Sequence, residues 1–244
     1  MAHRVTALAA VLAGVLGLTA AGTGQPTGKA KPGDAAKVKK ALQELQEFIG
    51  PWNLEGTQKV GARTEAWKEK VNWSWKFKGD DAWLTVEFDK GKHFTKGELT
   101  YLPDRKKYRL SLTPAGKADA EVYEGEISKG VLKLERKDPK TNDVYRVSMN
   151  TAADGVRFVM KFERQEGGKG LFASVYQMAG NKEGESLGAV ARKPECIVTG
   201  GAATIKVSYM GKEYFVCCTG CRDAFKDEPE KFIKEAEAKA KEKK

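Results

Sequence analysis

From Trp52 to about Gln177 the chain alternates apolar and polar residues in twos. The inward series include Trp73, Trp75 and Phe77; Leu84, Val86 and Phe88; Tyr108, Leu110 and Leu112; Tyr145, Val147 and Met149; and Val156, Phe158, Met160 and Phe162. A period of two places one apolar face along a strand and excludes a helical reading of the same residues. Short turn signals separate the runs at regular intervals: KGDD, FDKGK, LPDRKK, ISKG, KDPKTND and AADG. The pattern predicts about ten strands joined by hairpin-length turns, an antiparallel meander. An open meander of that size leaves two unpaired edges, and closure removes both. The expected fold is therefore mainly β, an up-and-down antiparallel β-barrel over residues 41–180, entered from a leading helix.

That helix is predicted over residues 35–50 (AAKVKKALQELQEFIG), where Val38, Leu42, Leu45 and Phe48 recur at helical spacing among lysines and glutamates. The pattern breaks at Gly50-Pro51, and the period changes there. In FIGPWNLEG, the Gly50-Pro51-Trp52 start and Gly56 four residues on resemble the G-x-W-x-x-x-G opening of lipocalin-like (calycin) and nitrobindin-like barrels. The likeness implies that Trp52 plugs the closed end of the barrel, a core role for a large aromatic.

A barrel of this size encloses one small ligand or fills with side chains. Five tryptophans (Trp52, Trp67, Trp73, Trp75 and Trp83) suit either a cavity for a small hydrophobic ligand or an ordinary core. Nitrobindin-like proteins hold haem through a histidine on a late strand. Here His93, the one histidine beyond the N-terminal leader, falls on an early strand, and alternation predicts that it faces outward. Catalysis is not expected. One histidine excludes a two-histidine metal site, Ser74, Ser111 and Ser148 lie within strand patterns, and Gly167-Gly168-Lys169-Gly170 lacks the strand–loop–helix setting of a phosphate cradle.

The N-terminus fixes how the cysteines are read. MAHR is followed by sixteen uncharged residues (VTALAAVLAGVLGLTA) that end in Ala20, and then by Ala21 and Gly22. The run is too short to span a bilayer and ends in small residues, as a secretory signal peptide does. Residues 1–22 are expected to be removed, leaving an exported protein, periplasmic or extracellular, without a transmembrane segment. The net charge of +10 is not a nucleic-acid footprint. Five lysines against Asp34 fall in the linker at 23–40, and the segment from Arg222 to Lys244 interleaves eight basic with seven acidic residues.

A second linker, 181–194, leads to a cysteine-bearing segment at 195–235 and a charged helical tail at 236–244. Two short strands, Thr204 to Tyr209 and Glu213 to Val216, precede a helix that Pro229 interrupts. The four cysteines, Cys196, Cys217, Cys218 and Cys221, all lie in this segment. A cysteine, a hairpin and a cysteine cluster at a helix start make a small zinc-ribbon or treble-clef layout.

The spacing C-x20-C-x3-C, the run Y-x-G-K-x-Y-F from Tyr209 to Phe215, Gly220, Phe225 and the D-x-P-x-K-F of Asp227 to Phe232 together resemble the YHS/TRASH family of metal-binding modules. The resemblance implies a compact treble-clef-like fold that binds or senses a transition metal such as copper or zinc. It assigns Cys196, Cys217 and Cys221 as ligands, with Cys218 as an additional thiol. Thiolates suit Zn²⁺ and Cu(I) for independent reasons. Two other readings stay open at this point. An exported chain with four cysteines accommodates two disulfides in any of three pairings, and Cys218-x-x-Cys221 is a thiol-redox spacing. A segment of about 40 residues buries little core and needs a metal or a crosslink to fold. No protein partner can be named from the sequence.

Overall fold

A computed structural model of the protein describes residues 34–185 and 193–242. The expected leader, most of the first linker and the middle of the second lie outside the described residues. Among the described residues, no helix is long and apolar enough to cross a membrane.

Ten strands form the expected barrel: β1 (Gly50–Val60), β2 (Arg63–Lys78), β3 (Asp81–Asp89), β4 (Phe94–Leu102), β5 (Lys107–Pro114), β6 (Glu121–Ser128), β7 (Val131–Lys137), β8 (Val144–Ala152), β9 (Arg157–Gln165) and β10 (Ala173–Lys182). Each pairs antiparallel with the next, and β10 closes on β1 with Trp52 opposite Lys182. The alternation of the sequence is the alternation of burial: in β3, Ala82, Leu84, Val86 and Phe88 are buried between more exposed neighbours. Trp73, Leu84, Leu99, Leu110, Val147, Phe158 and Met160 are all 0% exposed and fill the interior with side chains. Burying a residue of this kind contributes roughly 1.5–3 kcal/mol, so this face holds the barrel closed.

One end of the barrel is capped by the leading helix. Helix α1 (Asp34–Gln43) buries Val38, Ala41 and Leu42, and Tyr108 Oη donates to the Ala41 carbonyl at 2.9 Å. The helix is shorter at its C-terminal end than the sequence pattern predicts, and its start at Asp34 makes the last residues of the expected 23–40 linker helical. A 3-10 turn, Gln46–Phe48, replaces its continuation to Gly50. The reason is the plug. Phe48 turns down onto Phe158, ring centroids 5.1 Å apart, and Trp52 Nε1 donates to the Phe48 carbonyl at 2.7 Å. Trp52 is fully buried at this end, the position its motif implies.

At the other end, His93 departs from the outward orientation expected of it. Its imidazole stacks on Tyr176 at 4.0 Å between ring centroids and meets Trp67 edge-on at 5.3 Å. The chain bends at Lys92 and His93, just before β4 begins, so strand alternation does not govern this side chain.

Beyond the barrel, β11 (Ile205–Tyr209) and β12 (Lys212–Val216) form a hairpin, followed by α2 (Thr219–Asp227) and α3 (Pro229–Glu242). Met210 and Gly211 at the tip both have positive φ, +47° and +76°, as a two-residue type I′ turn requires. Pro229 separates the two helices: its missing N–H is tolerated in the first turn of α3 but not inside a continuous helix. This cysteine module packs α2 against β2 at the capped end, and Val216, Phe225 and Phe232 join the same contiguous apolar core as the barrel.

Candidate metal centre

Two backbone devices carry the cysteines. The first is a tight turn after Cys196, in which Gly200 N–H donates to the Cys196 carbonyl and Cys196 N–H to the Gly201 carbonyl, both at 2.7 Å. Gly200 sits at φ +80°, which favours glycine. The turn is fastened to the hairpin by Ile197 N–H, which donates to the Phe215 carbonyl at 2.9 Å. The second device is the step from β12 into α2. Cys217 follows the last strand residue, Cys218 is the extended N-cap of α2, and Cys221 lies in its first turn.

These devices bring Cys196, Cys217 and Cys221 together, with their Sγ atoms all within 4.8 Å of one another. Cys217 Sγ lies 3.5 Å from Cys221 Sγ, and Thr199 Oγ1 lies 3.6 Å from Cys217 Sγ. A metal with sulfur bonds of about 2.3 Å separates tetrahedral ligands by about 3.8 Å, so the span of these thiols brackets the separation that a thiolate site needs. All four cysteines are buried and all four are free thiols. Cys218 lies outside the set of three. It borders Cys217 and Cys221, and its sulfur faces the backbone N–H groups of Cys221 and of Trp75 on the barrel.

Burial and mutual contact set the protonation of these thiols. Hydrogen bonds from the S–H groups of Cys217 and Cys221 pull Cys196 below the ordinary thiol range. The same two neighbours and the backbone N–H groups pull Cys218 down. The cost falls on their partners. Cys217 is pushed up because its proton is held by Cys196 and Cys218, and Cys221 is pushed up above all by burial. Four adjoining buried sulfurs cannot all carry charge in the absence of a cation, whereas a bound cation favours the thiolate at each ligand.

The barrel reaches both halves of this site, which the sequence did not reveal. Gln43 Nε2 donates to the Thr199 carbonyl at 2.8 Å, in the Cys196 turn. Gln46 lies against Gly201 of the same turn, and its Oε1 accepts from Trp75 Nε1 at 3.1 Å. Gly220, between Cys218 and Cys221, is seated on the Trp75 carbonyl. Gln43 and Gln46 read in the sequence as the polar face of a helix, and Trp75 as one core aromatic among five.

With the geometry in place, comparison with known proteins adds a family for this part of the chain. Residues 198–236 match the YHS domain, a span that includes Cys217, Cys218 and Cys221 and begins two residues after Cys196. The fold and the cluster together define a closed ten-stranded barrel carrying a YHS domain with a buried thiol group able to hold a metal. No curated protein matches the chain in sequence. Among solved structures, the chain is similar to the crystal structure of Rv2717c from M. tuberculosis, at 16% identity over 59% of this chain and 97% of that one, with a TM-score of 0.38.

Proposed function

We propose that this is an exported, non-catalytic protein that holds a soft or borderline transition metal, zinc(II) or copper(I), and handles or senses that metal in the cell envelope. The observation that carries the reading is the convergence of three buried thiols, Cys196, Cys217 and Cys221, from two separate backbone devices. Cys218 is a fourth thiol at hand in the same pocket and serves as an alternate ligand. Thiolate donors in a buried site suit either metal, and no histidine or carboxylate is present among them. Export rests on the apolar N-terminal run with its basic start and small-residue end. The carrier reading, in which the barrel holds a small hydrophobic ligand, has no observation in its favour, since aromatic and aliphatic side chains occupy the interior.

Elemental analysis and thiol titration of protein purified without chelator test the reading together. About one zinc or copper per chain, with thiols that titrate only after metal removal or denaturation, is the expected result. Replacing Cys217 and Cys221 by serine should abolish the metal and leave the barrel folded. Metal content unchanged in that variant would overturn the assignment.

A further inference from the structure

The metal-binding reading leaves open why a YHS domain is joined to a barrel, and the contacts between them suggest a reason. A small module whose ligands come from two separate backbone devices must hold those devices in register before a metal can bind both. Within the module, Ile197 N–H on the Phe215 carbonyl, Thr204 N–H on the Val216 carbonyl and the Thr199 hydroxyl on Cys217 tie the Cys196 turn to the end of β12, but none of them touches the first turn of α2 that carries Cys221. A second connection, which does reach that turn, runs through the barrel.

Three residues at the capped end make it. Gln43 fixes the Thr199 carbonyl, Gln46 lies on Gly201, and Trp75 supports Gly220 between two cysteines. Gln46 and Trp75 are themselves joined by the indole hydrogen bond of 3.1 Å, and Trp75 is 0% exposed. The path therefore closes: Cys196 turn, Gln46, Trp75, Gly220, Cys217 and Cys221. Gln46 also opens the 3-10 turn whose last residue, Phe48, plugs the barrel beneath Trp52. The thiol cluster and the barrel plug thus share one residue, the first through its side chain and the second through the backbone of its turn.

We infer that Gln46 and Trp75 are positioning residues of the metal site, and that metal affinity and closure of the barrel end are thermodynamically linked through them. The inference rests on the metal-binding reading above. Outer partners that orient metal ligands are commonly worth about 10–100-fold in affinity. Coupling of this kind is reciprocal, so a metal that draws the two halves together must also steady the Gln46–Phe48 turn.

The test uses the full chain, reduced and anaerobic, titrated with cobalt(II) as a spectroscopic stand-in for zinc and followed by sulfur-to-metal charge-transfer absorption and by tryptophan fluorescence. Gln46→Ala removes both the acceptor and the contact with Gly201, while Gln46→Glu keeps size and acceptor. We expect Gln46→Ala to weaken cobalt binding about 10–100-fold, to alter the absorption of the bound ion and to remove the metal-dependent fluorescence change. Gln46→Glu should restore all three. Trp75→Phe, which keeps an aromatic ring but loses the N–H and part of the indole's volume, should fall between them.

A wild-type chain that binds no cobalt with its thiols reduced would defeat the metal-binding reading itself. A wild type that binds, beside a Gln46→Ala variant of equal affinity and unchanged spectra, would overturn the positioning role alone. Loss in Gln46→Ala that Gln46→Glu fails to restore would also overturn it, because the loss would then be one of general stability.

Discussion

Gly220 rests directly on the carbonyl oxygen of Trp75: a Cβ built on this glycine would lie 1.6 Å from that oxygen. The neighbour is backbone of a central strand, which cannot swing aside as a side chain can. Gly220 is thus what lets the first turn of α2, with Cys218 and Cys221 on either side of it, lie flat against the barrel.

Gly220→Ala is accordingly expected to lift α2 away from β2. Overpacking of this kind costs about 1–3 kcal/mol, and more where backbone must move. Hydrogen exchange read by mass spectrometry should show faster exchange in α2 and unchanged protection in β5 to β8. Equal protection of α2 in the variant and the parent would show that the contact has slack the geometry does not suggest.

A second glycine serves the barrel wall. Gly56 of β1 faces Trp67 of β2 across the ladder, and the indole lies over it so closely that an added Cβ would come within 2.1 Å of the ring. Here the obstacle is a side chain, so the indole can be displaced. Gly56→Val should push Trp67 off its seat beside His93 and Tyr176 and lower stability by about 1–3 kcal/mol. A red-shifted tryptophan emission with a lower melting temperature would report it. An unshifted emission would mean that the strand bends instead.

The barrel was legible because its evidence is local. Alternation, turn residues and hairpin lengths are each readable within a few positions, and closure follows from the need to remove edges. The cysteine set was legible through spacing, and Cys196, Cys217 and Cys221 do converge. The docking of the module was not legible. It depends on Gly201 and Gly220, which look in sequence like any turn or helix-start glycine, and on Gln46, whose partners lie 29 and 155 positions away in the chain. His93 was misplaced for a related reason: the bend at Lys92 frees it from the period of the strand that follows.

His93 in turn makes stability depend on pH. Burial, and then the charge of Lys92, hold its imidazole below the ordinary value of 6.5, and its Nε2 is buried without a partner. A base with a depressed folded pKa binds its proton more readily in the unfolded chain. Its contribution is therefore complete above about pH 6.5 and is lost as pH falls through the lower, folded value. Thermal melts between about pH 7.5 and about pH 5.5 should show a smaller fall for His93→Phe than for the parent, because phenylalanine keeps the stack on Tyr176 and has nothing to protonate. Parallel falls in both proteins would mean that the imidazole binds its proton equally well in the folded and the unfolded chain.

Metal binding should have its own pH dependence, of the opposite origin. Cys217 and Cys221 are raised above the ordinary thiol value of 9.0, the first by the hydrogen bonds it donates and the second by burial, so both hold their protons at neutral pH. A metal that takes them as ligands must expel those protons. Affinity is then weakest in acid and climbs with pH, and it stops climbing only where the thiols of the free protein would ionise unaided. The number of protons released is the slope of that climb, about two if Cys196 is already a thiolate. Competition against a chromophoric chelator at several pH values gives the slope, and calorimetry in buffers of different ionisation enthalpy counts the protons independently. A slope near zero would require both thiols to be ionised before the metal arrives, and the buried cluster would then need a cation other than the metal to balance their charge. Lys182, with its ammonium on the Glu47 carbonyl at 3.1 Å, is a barrel cation within electrostatic reach of Cys217. Its replacement by methionine would decide between the two cases, leaving the slope near two if the thiols release their own protons and raising it from zero if Lys182 had been holding them ionised.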